Sequence, residues 1–421
     1  SEFSLFFSQL SSRGHELTYH TAESTKLKLK SYGEYNYDNI VFFAPTAEKL
    51  GYIAFDEITT FSSAGGNVLI AASREVSDNV RDLIESFGVS LNKKGTEIID
   101  HFEAVEALDS NLQHTHILAR NAMVSSAVLG KYNEDHARVP LLFHGVGQSL
   151  TDPENVLALG VLRGNPSSYS AMPNKPLGSD GPENAGQDAL LVTAVQGRNN
   201  ARVVVSGSLD LFSNAYFRAV DNAGSHVGNE LFCSELSKWT FAETGVLRFR
   251  DITHHRTDGV PPDVILHEKE RADLPVTQYP DPELTRNSLV YRIKDEIVYS
   301  MIVEQFTEGA WVPFSADDMQ MEFVMLDPYV RKTMTSDPLT GEFKVVFTAP
   351  DSYGIFKFRV LYRRPGYSVL HAETKVSLRP FKHNEYERFI FSAYPYYTSA
   401  ISATVAFFVF SLFFLYSSDS K

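Results

Sequence analysis

Phe55 to Ala72 reads FDEITTFSSAGGNVLIAA, and the class of the N-terminal fold turns on how that stretch divides. Phe55 to Ala64 reads as a helix, and Gly65-Gly66 supplies its stop, since glycine accepts the left-handed backbone that ends helices. Val68 to Ala72 is then a short continuous apolar run, the pattern of a strand buried on both faces. Upstream, Ile40 to Pro45 (IVFFAP) is a second strand of the same buried type. Downstream, Val80, Leu83, Ile84 and Phe87 fall at i, i+3, i+4 and i+7, so Ser77 to Phe87 is an amphipathic helix. Further strands are expected at Val139 to Phe143, Ala189 to Val195 and Arg202 to Ser206. Helices are expected at Phe3 to Ser12, Asn214 to Val220 and Asn229 to Ala242, the last with Phe232, Leu236 and Trp239 on one seam. Strands alternating with helices predict an α/β unit over residues 1–250, a mostly parallel sheet covered by helices. Because the chain opens on a helix, a first strand is expected ahead of Ser1.

Within this unit the pattern breaks once, and beyond it the period changes. Ala158 to Gln187 is rich in Gly, Pro, Ser and Asn and is read as an irregular, functional or partner-facing segment. Residues 251–289, with Pro261, Pro262, Pro275, Pro280 and Pro282, read as a linker. From Val290 onward apolar residues alternate with polar ones: Met319, Met321, Phe323 and Met325, then Phe343, Val345 and Phe347, then Phe356, Phe358 and Val360. Runs of period two separated by turns predict an antiparallel, immunoglobulin-like β-sandwich over 290–380. A juxtamembrane connector (381–396), a transmembrane helix (397–416) and a short tail (417–421) complete the expected organisation.

The terminal run, YTSAISATVAFFVFSLFFLY from Tyr397 to Tyr416, contains no charged residue. At about 1.5 Å per residue its segment from Thr398 to Leu415 reaches roughly 27 Å, enough to cross a thin bilayer once. Tyr394, Tyr396, Tyr397 and Tyr416 flank it, where aromatic rings favour the headgroup level. Ser399, Ser402, Ala403 and Ala406 share one face by their spacing, so a second helix can approach closely there. Arg379, Lys382 and Arg388 precede the span and only Lys421 follows it, which by charge count alone would put the large region in the cytosol. Long domains override that rule. Ser1 to Phe7 lacks the basic and apolar regions of a secretory leader.

The chain carries 52 acidic against 38 basic side chains, a net charge of -14, with no basic run. That balance excludes nucleic acid as a partner, because phosphate backbones are bound by clustered Lys and Arg. The single cysteine, Cys233, permits no intrachain disulfide and falls inside a predicted helix as a small buried hydrophobe.

Ligand crevices in α/β units open at the carboxyl ends of strands. Those ends are Ser73-Arg74, His144 to Gly147 (HGVG) and Ser206 to Asp210 (SGSLD). Ser206-Gly207-Ser208 lacks the frame of a nucleophile elbow, and HGVG lacks a dinucleotide fingerprint. His144, Ser206, Ser208 and Asp210 are therefore candidate contacts for a polar ligand such as a glycan. Against this, Ser208 and Asp210 also suit the capping of a following helix. His114 and His116 are placed on one side of a strand and His254-His255 in a loop. Neither pair has further ligands at a familiar spacing, so neither catalytic residues, nor a metal, nor a cofactor is called for.

Five segments together resemble one family: RNNARVVVSGSLDLFSNAYF (Arg198 to Phe217), SKWTFAETGVLR (Ser237 to Arg248), HHR (His254 to Arg256), WVPF (Trp311 to Phe314) and YERFIFSAYPYY (Tyr386 to Tyr397). They are similar to the DDOST-type non-catalytic subunits of the oligosaccharyltransferase complex. The resemblance implies a type I protein of the endoplasmic reticulum membrane, with the large region lumenal and a short cytosolic tail. Such a complex transfers a lipid-linked oligosaccharide to asparagines of nascent chains, and its active site belongs to another subunit. The partners implied are that catalytic multispan subunit, ribophorin-type subunits, small membrane subunits and membrane lipid, with the lipid-linked oligosaccharide as a further ligand. Three functions follow. The chain is a non-catalytic assembly subunit, or a glycan-binding module using the strand-end crevice, or a membrane-tethered hydrolase, which would need an activated nucleophile.

Overall fold

The computed structural model describes residues 2–105, 107–108, 112–123, 125–136, 139–173, 175–177, 181–259, 263–264, 289–388 and 390–417. Helix α1 (Ser4–Ser12) opens the chain, and α2 (Phe55–Ser63) and α3 (Asp78–Ser86) follow where the apolar periodicity put them. Gly65 ends α2 at φ +108°, and Gly66 N–H reaches back to Phe61 O. Ser77 caps α3 by accepting from Val80 N–H at 3.3 Å, satisfying one of the free donors of a helix start.

The main sheet holds eight strands: β1 (Asn39–Phe42), β2 (Asn67–Ala71), β3 (Val89–Leu91), β4 (Asn121–Ala122), β5 (Gln148–Leu150), β6 (Ala158–Arg163), β7 (Leu190–Gln196) and β8 (Arg202–Ser206). Their order is β1-β2-β8-β7-β5-β3, with β6 beside β7 and β4 beside β6. Both faces are covered. Val68, Ile70, Val203 and Val205 face α2 and α3. Leu69, Ala71 and Val204 face α1 and the helix α4 (Asn229–Thr240).

The expectation of a mostly parallel sheet is corrected. Only β1 with β2 and β2 with β8 run parallel, and the remaining pairs are antiparallel. The cause lies in the link between β7 and β8, the tight turn Gly197 to Ala201, closed by Gly197 N–H to Ala201 O at 2.7 Å. A parallel return needs a crossover of a dozen or more residues, so this short turn can only make a hairpin. Leu141–Phe143 also leaves the main sheet and pairs with Ile117–Ala119 instead.

Ala158 to Gln187 is more regular than expected. It begins with β6, and Tyr169–Ala171 pairs with Glu97–Ile99. Register shifts at Gly160/Leu162 and Leu162/Arg163 break the alternation of β6, which hides the strand from a period-two reading.

The second unit contains β9 (Val246–Arg256), β10 (Leu289–Arg292), β11 (Glu296–Thr307), β12 (Ala310–Pro313), β13 (Gln320–Val324), β14 (Pro328–Thr333), β15 (Glu342–Thr348), β16 (Gly354–Tyr362) and β17 (Leu370–Arg379). One sheet runs β9-β11-β15 to Thr335–Ser336, with β12 beside β11; the other runs from Asp263–Val264 through β10-β17-β16-β13-β14. The two share a core that includes Tyr299, Met301, Phe323, Phe343, Phe347, Phe356 and Phe358. One pair departs from antiparallel, β10 with β17. The linker expected from Asp251 in fact begins as strand, because β9 continues to Arg256 across a bulge between Arg250 and Thr253, with Asp251 at φ +51°. His254 and His255 therefore sit on a strand, not in a loop. The five linker prolines and the tail residues 418–421 lie outside the described residues.

The two units are bolted together through the turn between β16 and β17. Trp239 Nε1 donates to Gly366 O at 2.8 Å, Gln196 Nε2 to Tyr367 O at 2.9 Å, Ser368 N–H to Gly245 O at 2.8 Å and Val369 N–H to Asn200 Oδ1 at 2.8 Å. Behind them Arg202 is buried and donates to the carbonyls of Trp239, Thr244 and Gly245 at 2.6, 2.6 and 2.9 Å. Helix α5 (Tyr394–Tyr416) ends the described chain, long and apolar enough to cross a membrane, with its side chains exposed.

Candidate functional site

Two glycine-bearing segments cross at one end of the main sheet, and their contact builds a pocket. A Cβ on Gly145 would stand 2.1 Å from Gly207 O, and one on Gly207 would stand 2.0 Å from Val146 O. Only glycine lets HGVG and SGS lie backbone to backbone, joined by Val146 N–H to Gly207 O at 2.9 Å. The same segment takes a bond from Ile98 N–H to Gly145 O at 3.0 Å, which draws the neighbouring Glu97 up to His144.

The result is an open cavity of about 400 Å³ with Ser73, Arg74, Glu97, Gln113, His116, His144 and Asp210 among its lining residues. His144 lies at its centre. Its Nδ1 is 2.8 Å from Asp210 Oδ2, its Nε2 is 3.4 Å from Glu97 Oε1, and His116 stacks on its ring at 4.3 Å. Burial alone would lower the His144 pKa, but the hydrogen bonds and charges of Asp210 and Glu97 outweigh it and raise the pKa to about 9. Arg74 Nη1 adds a second cation 3.6 Å from Glu97 Oε1. Burial, reinforced by Asp210 and Glu97, likewise pushes the nearby Tyr216 phenol well up.

Of the four residues expected here, the pocket brings His144 and Asp210 together and sets Ser206 and Ser208 behind its wall. Both serines are fully buried. Ser206 Oγ donates to Ser208 O at 2.8 Å, and Ser208 Oγ accepts from Leu211 N–H at 3.2 Å, the capping role that the sequence had offered as the alternative. His114 and His116 do not share a strand face; both precede Ile117–Ala119, with His114 at φ +55° and packed on His101 at 4.7 Å. Glu97 was not singled out by sequence; Arg74 was noted only as the end of a buried strand run, and His116 only in a pair with His114 that lacked further metal ligands.

Chemically the pocket offers fixed donors and acceptors. His144, held as an imidazolium between two carboxylates, has no lone pair with which to act as a general base at neutral pH. Cys233 is buried, and burial pushes its thiol up. Among the described residues no group of three or more His, Cys, Asp and Glu could hold a metal ion. In helix α5, Ser399 and Ser402 turn their hydroxyls onto the helix's own carbonyls, Tyr396 O and Ser399 O, both at 2.9 Å.

Comparison with known proteins gives one answer over the whole length. The OST48 N-terminal domain matches residues 1–243 and the OST48 middle domain matches residues 279–418. The chain is 39% identical to the dolichyl-diphosphooligosaccharide–protein glycosyltransferase 48 kDa subunit of Danio rerio, over 99% of this chain and 89% of that one. The Drosophila melanogaster protein of the same name is 40% identical over 99% and 88% of the two chains. That of Arabidopsis thaliana is 38% identical over 99% and 90%.

Proposed function

This chain belongs to the OST48 family, and on that premise we propose that it is a membrane-anchored subunit of an oligosaccharyltransferase that serves N-linked glycosylation of nascent proteins. The observation that carries this reading is the likeness to named subunits over 99% of the chain. Its role is assembly and stability of the complex in the endoplasmic reticulum membrane, with the large region in the lumen and catalysis left to another, multispan subunit. The non-catalytic part of the reading is supported by the pocket, where Asp210 and Glu97 raise the His144 pKa to about 9 and both serines are engaged with backbone. Ser399, Ser402, Ala403 and Ala406 form the face on which a neighbouring span packs, since small residues let helices approach closely in lipid. Purification in mild detergent tests the proposal: the chain should come away with other membrane subunits of the transferase, and a stable solitary monomer would defeat it.

A second reading is favoured by the pocket itself. Arg74, His144, Gln113 and Asp210 line a cavity of about 400 Å³ with both donors and acceptors, which suits the hydroxyls of a glycan such as that carried by the lipid-linked donor. Titrating the full chain in detergent with free high-mannose glycan should perturb the His144 ring resonances. Unchanged resonances at millimolar glycan would remove this reading and leave the assembly role standing.

A further inference from the structure

The sandwich has two ends, and the chain leaves for the membrane from one of them. Strand β17 ends at Arg379, whose neighbour across β10 is Arg292 and whose predecessor Leu378 pairs with Gly354 at the start of β16. Strand β13 reaches the same end, because Val324 pairs with Lys357, so the turn from Met325 to Asp327 lies beside the start of β16. The contact is close: Met325 Sδ lies 3.0 Å from where a Cβ on Gly354 would stand.

This end is apolar where turns are ordinarily polar. Leu326 is 90% exposed at the tip of its turn, Tyr353 71% and Ile355 67%, and Tyr329 leans edge-on against Phe356 at 5.3 Å. A lone exposed leucine carries no argument, and Leu339, 86% exposed at the opposite end, is one. Leu326, Tyr353 and Ile355 lie on or beside two touching turns, and exposed apolar side chains grouped in this way mark an interaction surface.

The exit route says what covers it. Arg379 donates to both oxygens of Glu385 at 2.6 and 2.8 Å, Lys382 N–H donates to Glu385 at 2.7 Å, and Phe381 packs under Arg292 and against Tyr386. The connector is thus tied back to the sandwich as far as Glu385. The stretch from Tyr386 to Ala393 that remains before α5 spans at most about 30 Å fully extended, and its last residues are wound into a 3-10 turn, Phe391–Ala393. It carries Ile390 and Phe391, both exposed, directly into the tyrosines at the head of α5. Lys294 pairs with Asp351 at 3.0 Å and Arg256 with Asp258 at 2.5 Å, and the connector adds Lys382 and Arg388, a mixture of apolar and charged groups that suits a headgroup layer.

We propose that this end of the sandwich rests in the headgroup layer of the bilayer, with Leu326, Tyr353 and Ile355 as its lipid contacts. Tyrosine and leucine side chains at a turn tip bury apolar surface there while the tyrosine hydroxyl stays hydrated. The inference rests on the membrane-anchored reading of α5, and its test separates the two.

In a Cys233→Ser background, single spin labels are placed at Leu326→Cys, Tyr353→Cys, Leu339→Cys and Phe410→Cys, and the full chain is reconstituted into phosphatidylcholine vesicles. Collision with a water-soluble nickel chelate and with bilayer-enriched oxygen is measured at each. The expected result is nickel access at 326 and 353 several-fold below that at 339, with oxygen access raised toward that at 410. If 326 and 353 match 339 while 410 is lipid-buried, the docking is overturned and the anchor stands. If 410 is also open to nickel, both fall. Low access to nickel and oxygen together at 326 and 353 means contact with a second copy of the chain, which also overturns the lipid assignment.

Discussion

The two folded units place their polar groups differently, although the sandwich too buries Asp295 and Glu304 against arginines. In the N-terminal unit Glu97, Asp100, Gln148, Arg202 and Asn229 are buried within the fold, where each is held by a specific partner: Asn229 Oδ1 and Nδ2 bracket the backbone of Leu142, and Arg202 gathers three carbonyls. In the sandwich, charges such as Glu322, Arg331, Arg359, Lys357 and Glu373 pair across the outer faces. The difference follows from topology. Hairpin-linked strands of period two turn every second side chain to water, so polar residues need no buried partner. A mixed sheet fed by distant segments brings loops together over its ends, and the backbone groups stranded there must be met by side chains. In the first unit this arrangement leaves a pocket in which His144 is held between two carboxylates.

The largest effect expected from this contrast is at Arg202. Arg202→Met removes a buried cation from three carbonyls and from the face of Trp239 at 4.7 Å, and should cost about 3–5 kcal/mol. Burial pulls the Arg202 pKa down to about 9, which still leaves it charged at neutral pH. Urea unfolding of the full chain in detergent measures the loss, and a midpoint like that of the parent would break the claim that buried polar groups hold the first unit.

His144 comes next. Its pKa is raised in the folded state from 6.5 to about 9, so the stabilisation from its two carboxylates is fully present below pH 6.5 and is lost as pH rises through 9. The step should be on the order of 3 kcal/mol. Melting temperature against pH would show a fall across that window in the parent and a flat line in His144→Gln. A fall of equal size in the variant would locate the titrating group elsewhere.

Smallest is Glu322→Gln on the sandwich face. Glu322 faces Arg331 Nη2 at 2.6 Å and Arg359 Nη2 at 2.5 Å, yet exposed pairs of this kind contribute about 1 kcal/mol or less. A loss equal to that of Arg202→Met would erase the distinction between the units.

The same contrast explains what was legible in the sequence. The sandwich strands announce themselves because Phe343, Val345 and Phe347, or Phe356, Phe358 and Val360, carry their burial in a period of two that needs no knowledge of neighbours. In the first unit helices α1 to α4 and strands β1, β2, β7 and β8 were readable, but strands β3 to β6, the helix Ser126–His136 and strand direction were not. A continuous apolar run such as Val203 to Val205 looks the same in either orientation, and the short Gly197 to Ala201 link was the overlooked clue. At the pocket, SGSLD and HGVG correctly marked a place where two strand ends meet. Their serines and glycines serve that meeting, however, and the polar floor comes from Glu97 and Arg74, which lie far away in sequence and join His144 only through the bond from Ile98 to Gly145. Pairwise proximity of that kind has no local periodicity to betray it.

The bolted turn between β16 and β17 has one more consequence. Because Gly366, Tyr367, Ser368 and Val369 fasten the pocket-bearing unit to the sandwich, and Glu385 fastens the connector to the sandwich's other end, the molecule is a spacer of set length. Its pocket stands at a distance from the connector set by β17, and the eight-residue stretch before α5 reaches at most about 30 Å. Whatever the pocket meets is met at that distance from the connector.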